Sequence, residues 1–456
     1  MIFERVHAKS YAPYADLPGP SPIFPFGNAM DFIGKSHRPW EVFASYGERF
    51  GGKCVAWLFG SPILVLNDAD LIGDVLCRRT VDFYKDEPGV ALIPVLTRSS
   101  PNINNGAEWT RTRTQSPMTQ PWIGHWLEAQ LSDVRELLEG WFKRMETMTA
   151  AQAIPLQAKL QRITFDSFSV GAVGSVLSDK MYEDFMTLAS QGSKRMTSLK
   201  PKPELGAVGQ STRKRFLNGL GKYYDAASAN PNDSPSDLLS LALRHHSRLP
   251  REELAAEMGN VFYGGCFSVP STLVSALYLL SSHPAEAKKV IAAVRDLDDD
   301  FDLKALNSCE PLDFALREAM RLLPAVPMFF RRVLATKPTE FAGCRLPADA
   351  NILICNWRLQ RAEPQWPRPM EYRPDRWSGG VANERPLGSD YFFPEGRGPR
   401  MCLGAEYSIF FMKLFLATAL RRWDIECGKG QNYDAGQTYF FGVRMPMGIK
   451  ARIRRR

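Results

Sequence analysis

No cysteine in this chain stands in a CxxC pair or at a zinc-site spacing: the eight fall at 54, 77, 266, 309, 344, 355, 402 and 427. That argues against zinc modules and a disulfide scaffold, and it points to a reducing compartment. A secretory apolar region is also missing, and residues 1–16 carry Glu4, Arg5, Lys9 and Asp16 without a run of about 20 apolar residues. A soluble, cytoplasmic protein with no membrane anchor is therefore expected. No Gly/Ser run, charge block or internal repeat divides the 456 residues, so one domain over 1–456 is expected rather than three smaller ones. No nucleic-acid-binding motif accompanies the basic residues at Lys194 to Lys202, Arg213 to Arg215 and Arg452 to Arg456. These read as solvated faces or tails, and no nucleic-acid partner is expected.

What the chain has is core-forming residues, 45% hydrophobic and 11% aromatic, under a net charge of +8. It can bury a large core, and its positive balance suits a partner with an acidic surface. Residues 1–30 form a Pro-rich lead-in arm, stiffened by Leu17-Pro18-Gly19-Pro20, Pro22, Pro25 and Gly27. A hairpin is predicted from Val55 to Leu66, turning at Gly60-Ser61-Pro62. Helical periodicity then dominates, with helices predicted over 127–145, 180–189, 214–227, 251–282, 285–297 and 311–323. Short strands are predicted within 339–355 and 439–453, so the fold class is mainly α with small β-sheets. Two long loops, 87–107 and 196–210, read as binding lids or as plain surface.

The richest stretch runs Phe392-Phe393-Pro394-Glu395-Gly396-Arg397-Gly398-Pro399-Arg400-Met401-Cys402-Leu403-Gly404. Apolar residues at 403, 407, 410, 411, 414 and 417 continue it as one helical stripe, so 390–422 reads as a loop feeding a helix. At that junction the unpaired N–H groups, the positive end of the helix dipole and Arg400 favour a thiolate at Cys402. Gly396, Gly398 and Gly404 permit turns and close approaches that a side chain would block. A thiolate offered on such a loop is a good metal ligand.

The stretch resembles the cysteine-ligand loop of the cytochrome P450 family, F-x-x-G-x-R-x-C-x-G, and matches it at Gly398, Arg400, Cys402 and Gly404. Glu395 stands where the family has an aromatic residue. Glu318-Ala319-Met320-Arg321 is similar to the family's E-x-x-R helix, and Pro369 to Trp377 looks like the segment that brings a second arginine, Arg376, to the same carboxylate. By this resemblance Glu318, Arg321 and Arg376 are structural. Trp109 and Arg113 match a W-x-x-x-R helix that meets a haem propionate, and the resemblance gives Arg331 and Arg397 similar roles. It implies the cytochrome P450 fold, haem b (iron protoporphyrin IX) on Cys402, and a push of thiolate electron density that favours O–O cleavage. The helix over the haem would be 251–282.

In the family that helix carries an acid and an alcohol after a glycine pair. Here the matching residues are Gly264-Gly265-Cys266-Phe267-Ser268, so Phe267 replaces the acid and Ser268 keeps a hydroxyl beside Gly265. Pro270 should kink the helix. Glu395 should pair with Arg397 or Arg400 rather than face the thiolate bare. The leading expectation is a monooxygenase acting on a small, mostly apolar substrate. Its electrons would come from a separate ferredoxin- or flavodoxin-type donor with its own reductase, and the pocket walls would lie at 90–96, 262–269 and 325–329. Two alternatives stay open: an electron-independent enzyme that rearranges or dehydrates a peroxide or couples phenol radicals, and a non-catalytic haem-binding module.

Overall fold

The computed structural model describes residues 2–85, 104–150, 152–196, 204–230, 236–245, 250–334, 336–363, 365–428, 430–434 and 436–456. The expected apolar wall at 90–96, most of the loop 87–107, and Lys200 to Pro203 lie outside them. The chain divides into two compact units, the first made of Met1–Asp86, Met320–Glu371 and Ser378–Cys402, the second of Glu87–Ala319, Tyr372–Trp377 and Leu403–Arg456.

The first unit is built on a five-stranded sheet. Strands Lys53–Leu58 and Ser61–Leu66 form the predicted hairpin, with Val55 opposite Leu64 and Trp57 opposite Pro62. Asn351–Ile354 adds to it in parallel, and Phe329–Val333 and Phe83–Tyr84 complete the order. The central strands are buried in continuous runs, and on one face of the sheet Val55, Trp57, Leu64, Leu66, Ile352 and Ile354 pack together. The lead-in arm closes over that face, since Phe3 and Tyr14 belong to the same core. So does Phe393, which ties the cysteine loop to the sheet.

The second unit is helical. Its helices include α1 (Gly106–Gln115), α2 (Ile123–Thr149), α3 (Leu156–Val173), α4 (Asp179–Met196), α5 (Ala207–Ala229), α6 (Arg251–Gly265), α7 (Ser268–Ser282) and α8 (Ala405–Arg422). The predicted helices are present, three of them longer than their apolar stripes, except that 251–282 forms two helices. Of the loop expected over 196–210, only the part before Ala207 is unwound among described residues. A two-stranded hairpin, Gln437–Phe440 with Val443–Pro446, and a three-stranded sheet of Ile154–Pro155, Lys450–Arg455 and Trp423–Cys427 complete this unit. Arg251–Ser282 is long and apolar enough to cross a membrane, but it is mostly buried, as the core helix of a folded unit is.

The stretch 251–282 is not one helix. It is interrupted at Cys266–Phe267, one turn ahead of the predicted kink. Pro270 has no N–H to offer the Cys266 carbonyl, and its ring crowds that carbonyl, so the break falls where the missing bond would have ended. Cys266 N–H still reaches Phe262 O at 3.0 Å, and Ser271 N–H reaches Phe267 O at 3.2 Å. The helix therefore stops and restarts across two residues.

Glu257 is buried on α6, where Ser116 Oγ and Asn260 Nδ2 each donate to it at 3.2 Å. Burial pushes its carboxyl up to about 8, against the pull of those two donors. A carboxyl raised in the folded state stabilises the fold fully below its unfolded value and loses that contribution as pH rises through about 8. The protein should therefore lose at least roughly 2 kcal/mol between pH 5 and pH 8.5 through this group. Thermal unfolding across that range should show the slope flattened in Glu257→Gln. An unchanged slope would remove Glu257 as its source.

Candidate haem site

The cysteine loop is held from the first unit. Phe392 and Phe393 are fully buried, and Phe393 N–H donates to Gln360 Oε1 at 3.2 Å. Gln360 is itself fully buried, and its amide nitrogen donates to Met320 O and Arg321 O at 3.1 and 3.2 Å. Arg321 returns a bond to Gln360 O at 2.8 Å. One side chain thus joins the start of the loop to the end of the E-x-x-R helix. Sequence reading missed Gln360, because every partner of its side-chain amide is a backbone group far away in the chain.

From Phe393 the chain turns twice through the left-handed region, at Gly396 (φ 78°) and Gly398 (φ 69°). A Cβ on Gly398 would stand 2.1 Å from Leu76 O, so both the backbone and the packing require glycine there. The loop closes with Cys402 N–H on Glu395 O at 2.9 Å. Gly404 differs, with φ at −90°, and its Cβ would meet only Met118 Cε at 3.9 Å. Neither strain nor a protein neighbour demands that glycine, which fits a close approach by a bound group. Gly404 is the N-cap of α8, two residues after Cys402.

Cys402 is the exposed one of eight free cysteines. Burial raises the other thiols for which a shift is resolved, Cys54 and Cys355 to about 12 and Cys266, Cys309, Cys344 and Cys427 also upward. Among the described residues no three His, Cys, Asp or Glu side chains converge to hold a metal ion. A metal on Cys402 must therefore bring most of its own ligands, as the iron of a haem does. Arg397 adds a second fit: one terminal nitrogen pairs with Asp390, while Nη1 is buried without a hydrogen-bond partner among the described residues and can take a carboxylate. Arg400 ends the short helical turn Gly398–Arg400.

The expected pairing of Glu395 with an arginine is not what forms. Arg397 is engaged with Asp390, and Glu395 exchanges a side-chain hydrogen bond with Cys402. Burial raises the Glu395 carboxyl, and that bond lowers it less. The short reach from 395 back to 402 across the turn explains the choice, since the same turn already bonds their backbones.

Arg331 is buried in the first unit's sheet and gives Nη1 to Phe330 O at 2.7 Å. In the second unit, Trp109 and Arg113 lie four residues apart on one side of α1, both partly buried. Arg111 on the same helix bridges to Glu253 of α6 at 3.1 Å. Glu318 has no exposed surface; it accepts from Arg376 Nε at 2.8 Å, Trp377 Nε1 at 3.0 Å and the Arg373 N–H at 3.1 Å.

At the break between α6 and α7 the residues divide into an inner and an outer set. Gly265 faces Phe168, whose ring would be 2.0 Å from a Cβ there. Phe267 is 1% exposed and packs on Phe185 (5.6 Å), Phe440 (5.2 Å) and Phe441 (5.6 Å). Phe262 and Val269 are likewise buried. Gly264 and Ser268 form the accessible side, with Ser268 Oγ on Gly264 O at 3.1 Å and Thr272 Oγ1 on Ser268 O at 3.0 Å. Of the wall expected over 262–269, these two are the open positions.

The cytochrome P450 family model matches residues 17–438 of the chain. Cytochrome P450 3A14 of Cavia porcellus is 22% identical over 442 residues, covering 89% of this chain and 85% of that protein. Cytochrome P450 3A28 of Bos taurus is 24% identical over 454 residues, with 90% and 85% covered. Lithocholate 6-beta-hydroxylase of Mesocricetus auratus is 23% identical over 464 residues, with 91% and 87% covered.

Proposed function

The chain belongs to the cytochrome P450 family of haem-thiolate monooxygenases, whose cofactor is haem b, and we propose that Cys402 is its thiolate ligand and that it oxidises a small, mostly apolar carbon substrate. The observation that carries the ligand is the exposed Cys402 thiol on a loop whose two left-handed glycines and buried Phe393 fix it in place. Arg397 Nη1, with Arg400 beside it, and Arg331 are the donors the first unit would offer to the haem propionates, and Trp109 and Arg113 have that role by the family resemblance alone. Bound there, haem supplies the iron at which dioxygen is reduced and one oxygen atom is delivered to the substrate.

Proton handling falls to Ser268 in this reading. Its hydroxyl sits on the open side of the break and is already oriented by Gly264 O, so it can pass a proton between water and the reaction centre. Phe267 has no proton to give, and its aromatic packing assigns it to shaping the break instead. Gly265 acts with it by letting Phe168 close against the helix.

Electrons come from a separate donor of the ferredoxin or flavodoxin type with its reductase, and the net charge of +8 suits its acidic face. Eight free cysteines agree with a cytoplasmic location. A surrogate redox pair with NADPH should support reductant-dependent oxygen uptake and an oxygenated product. In Ser268→Ala, product formed per NADPH should fall roughly ten-fold. Turnover of a lipid hydroperoxide with no reductant, and none with NADPH, would instead establish the electron-independent reading that the loss of the acid at Phe267 leaves open.

A further inference from the structure

The basic run Arg213-Lys214-Arg215 is not the uniform solvated face that its composition suggests. Lys214 and Arg215 are exposed, and Arg215 forks onto Asp184 at 2.7 and 3.0 Å. Arg213, on the other side of α5, is partly buried, and α5 packs along α6, the helix that carries Tyr263. Burial lowers the Arg213 pKa, so its charge is held at a cost in solvation.

Tyr263 is 7% exposed, and its hydroxyl is buried without a hydrogen-bond partner among the described residues. Its ring stacks on Phe441 at 5.8 Å and packs on Phe185 at 5.1 Å, the two rings that also meet Phe267. Phenylalanine would fill that space equally well. A buried hydroxyl left unsatisfied is unfavourable, so the oxygen needs a reason to be there. A phenol donor and a desolvated guanidinium beside an aromatic cluster match a carboxylate carried on an apolar body.

We propose that Arg213 and Tyr263 form a carboxylate-binding subsite, so that the substrate of this monooxygenase is an apolar carboxylic acid. The proposal rests on the monooxygenase reading for what happens to the bound acid, but not for the binding itself. Tyr263 immediately precedes Gly264 and lies five residues before Ser268. A carboxylate anchored at this point fixes one end of the substrate beside the helix break and leaves its hydrocarbon part to vary in length.

Equilibrium dialysis of the haem-loaded protein tests this without turnover, using dodecanoate, hexadecanoate and 4-phenylbutanoate against their methyl esters. At least one acid should bind about ten-fold more tightly than its ester, the size of one charge-assisted hydrogen bond. Arg213→Gln should abolish the preference while the ester still binds, which also shows that the variant is folded. Tyr263→Phe should weaken acid binding by about three- to ten-fold with the thermal midpoint unchanged or raised, because it deletes an oxygen that nothing in the protein satisfies. The proposal falls if no acid outbinds its ester, if Arg213→Gln weakens acid and ester alike, or if Tyr263→Phe leaves acid affinity intact. An acid preference without NADPH-dependent oxygenation would retain the subsite and overturn the reaction; oxygenation without the preference would do the reverse.

Discussion

Cys402→Ala is expected to fold and yet to retain no haem through gel filtration, with complete loss of the thiolate-type band in the reduced carbon monoxide difference spectrum. The effect should be total because the loop 392–404 carries no second cysteine and no histidine. Burial disfavours the thiolate of Cys54, Cys266, Cys355 and Cys427, and no other ligand cluster exists among the described residues. The loop itself does not depend on the sulfur, since Phe393, Gln360 and the Cys402 N–H hold it through the backbone. A Cys402→Ala protein that kept the thiolate-type band would end the assignment of the ligand.

The second large effect is expected at Glu318. Removing its carboxylate leaves the Arg376 guanidinium, 8% exposed at the side chain, without its counter-charge, and takes the acceptor from Trp377 Nε1 and the Arg373 N–H. Breaking one side of a buried pair costs about 3–5 kcal/mol, more than the intact pair contributes. Glu318→Leu should therefore lower the thermal midpoint by roughly 5–10 °C. Adding Arg376→Leu should recover part of the loss, because the double variant no longer strands the Arg376 charge. Calorimetry of wild type, both single variants and the double variant measures the coupling. A double variant as unstable as the two losses summed would show that the residues do not act as a pair.

How much of this could be read from the sequence depended on the span of the interaction. The ligand loop was legible because its residue types fall within a dozen positions and each has a local reason: left-handed turns at Gly396 and Gly398, a thiolate at Cys402. The Glu318–Arg376 pair spans 58 residues, and only the family resemblance brought its partners together. Gln360 left no trace, since an amide bonding to backbone looks like any other glutamine. Helix α3 was missed for a different reason. Gln157, Gln161, Thr164, Ser167 and Ser169 are buried on it along with its apolar residues, so no polar stripe marks an outer face. Pro270 announced the broken helix but not its place, because a proline acts on the carbonyl four residues earlier. Arg213 was hidden inside a basic run whose other two members are the exposed residues they appear to be.

The break at Cys266–Phe267 also has a mechanical side. Below it, α7 is fastened to the hairpin Gln437–Pro446: Ser271 Oγ bonds to Arg444 O, Arg444 Nη2 to Ser275 Oγ at 3.0 Å, and Ser275 to Tyr433 at 2.6 Å. Above it, α6 is fastened to α1 through Glu253 and to Asp225 of α5 through Arg251. A continuous rod would have carried a tilt at one end straight to the other. With two residues of unwound chain between them, the hydrogen-bond ladder does not run on from α6 into α7, and both halves are instead joined sideways to the hairpin, through Tyr263 and Phe267 on Phe441 and through Ser271 on Arg444.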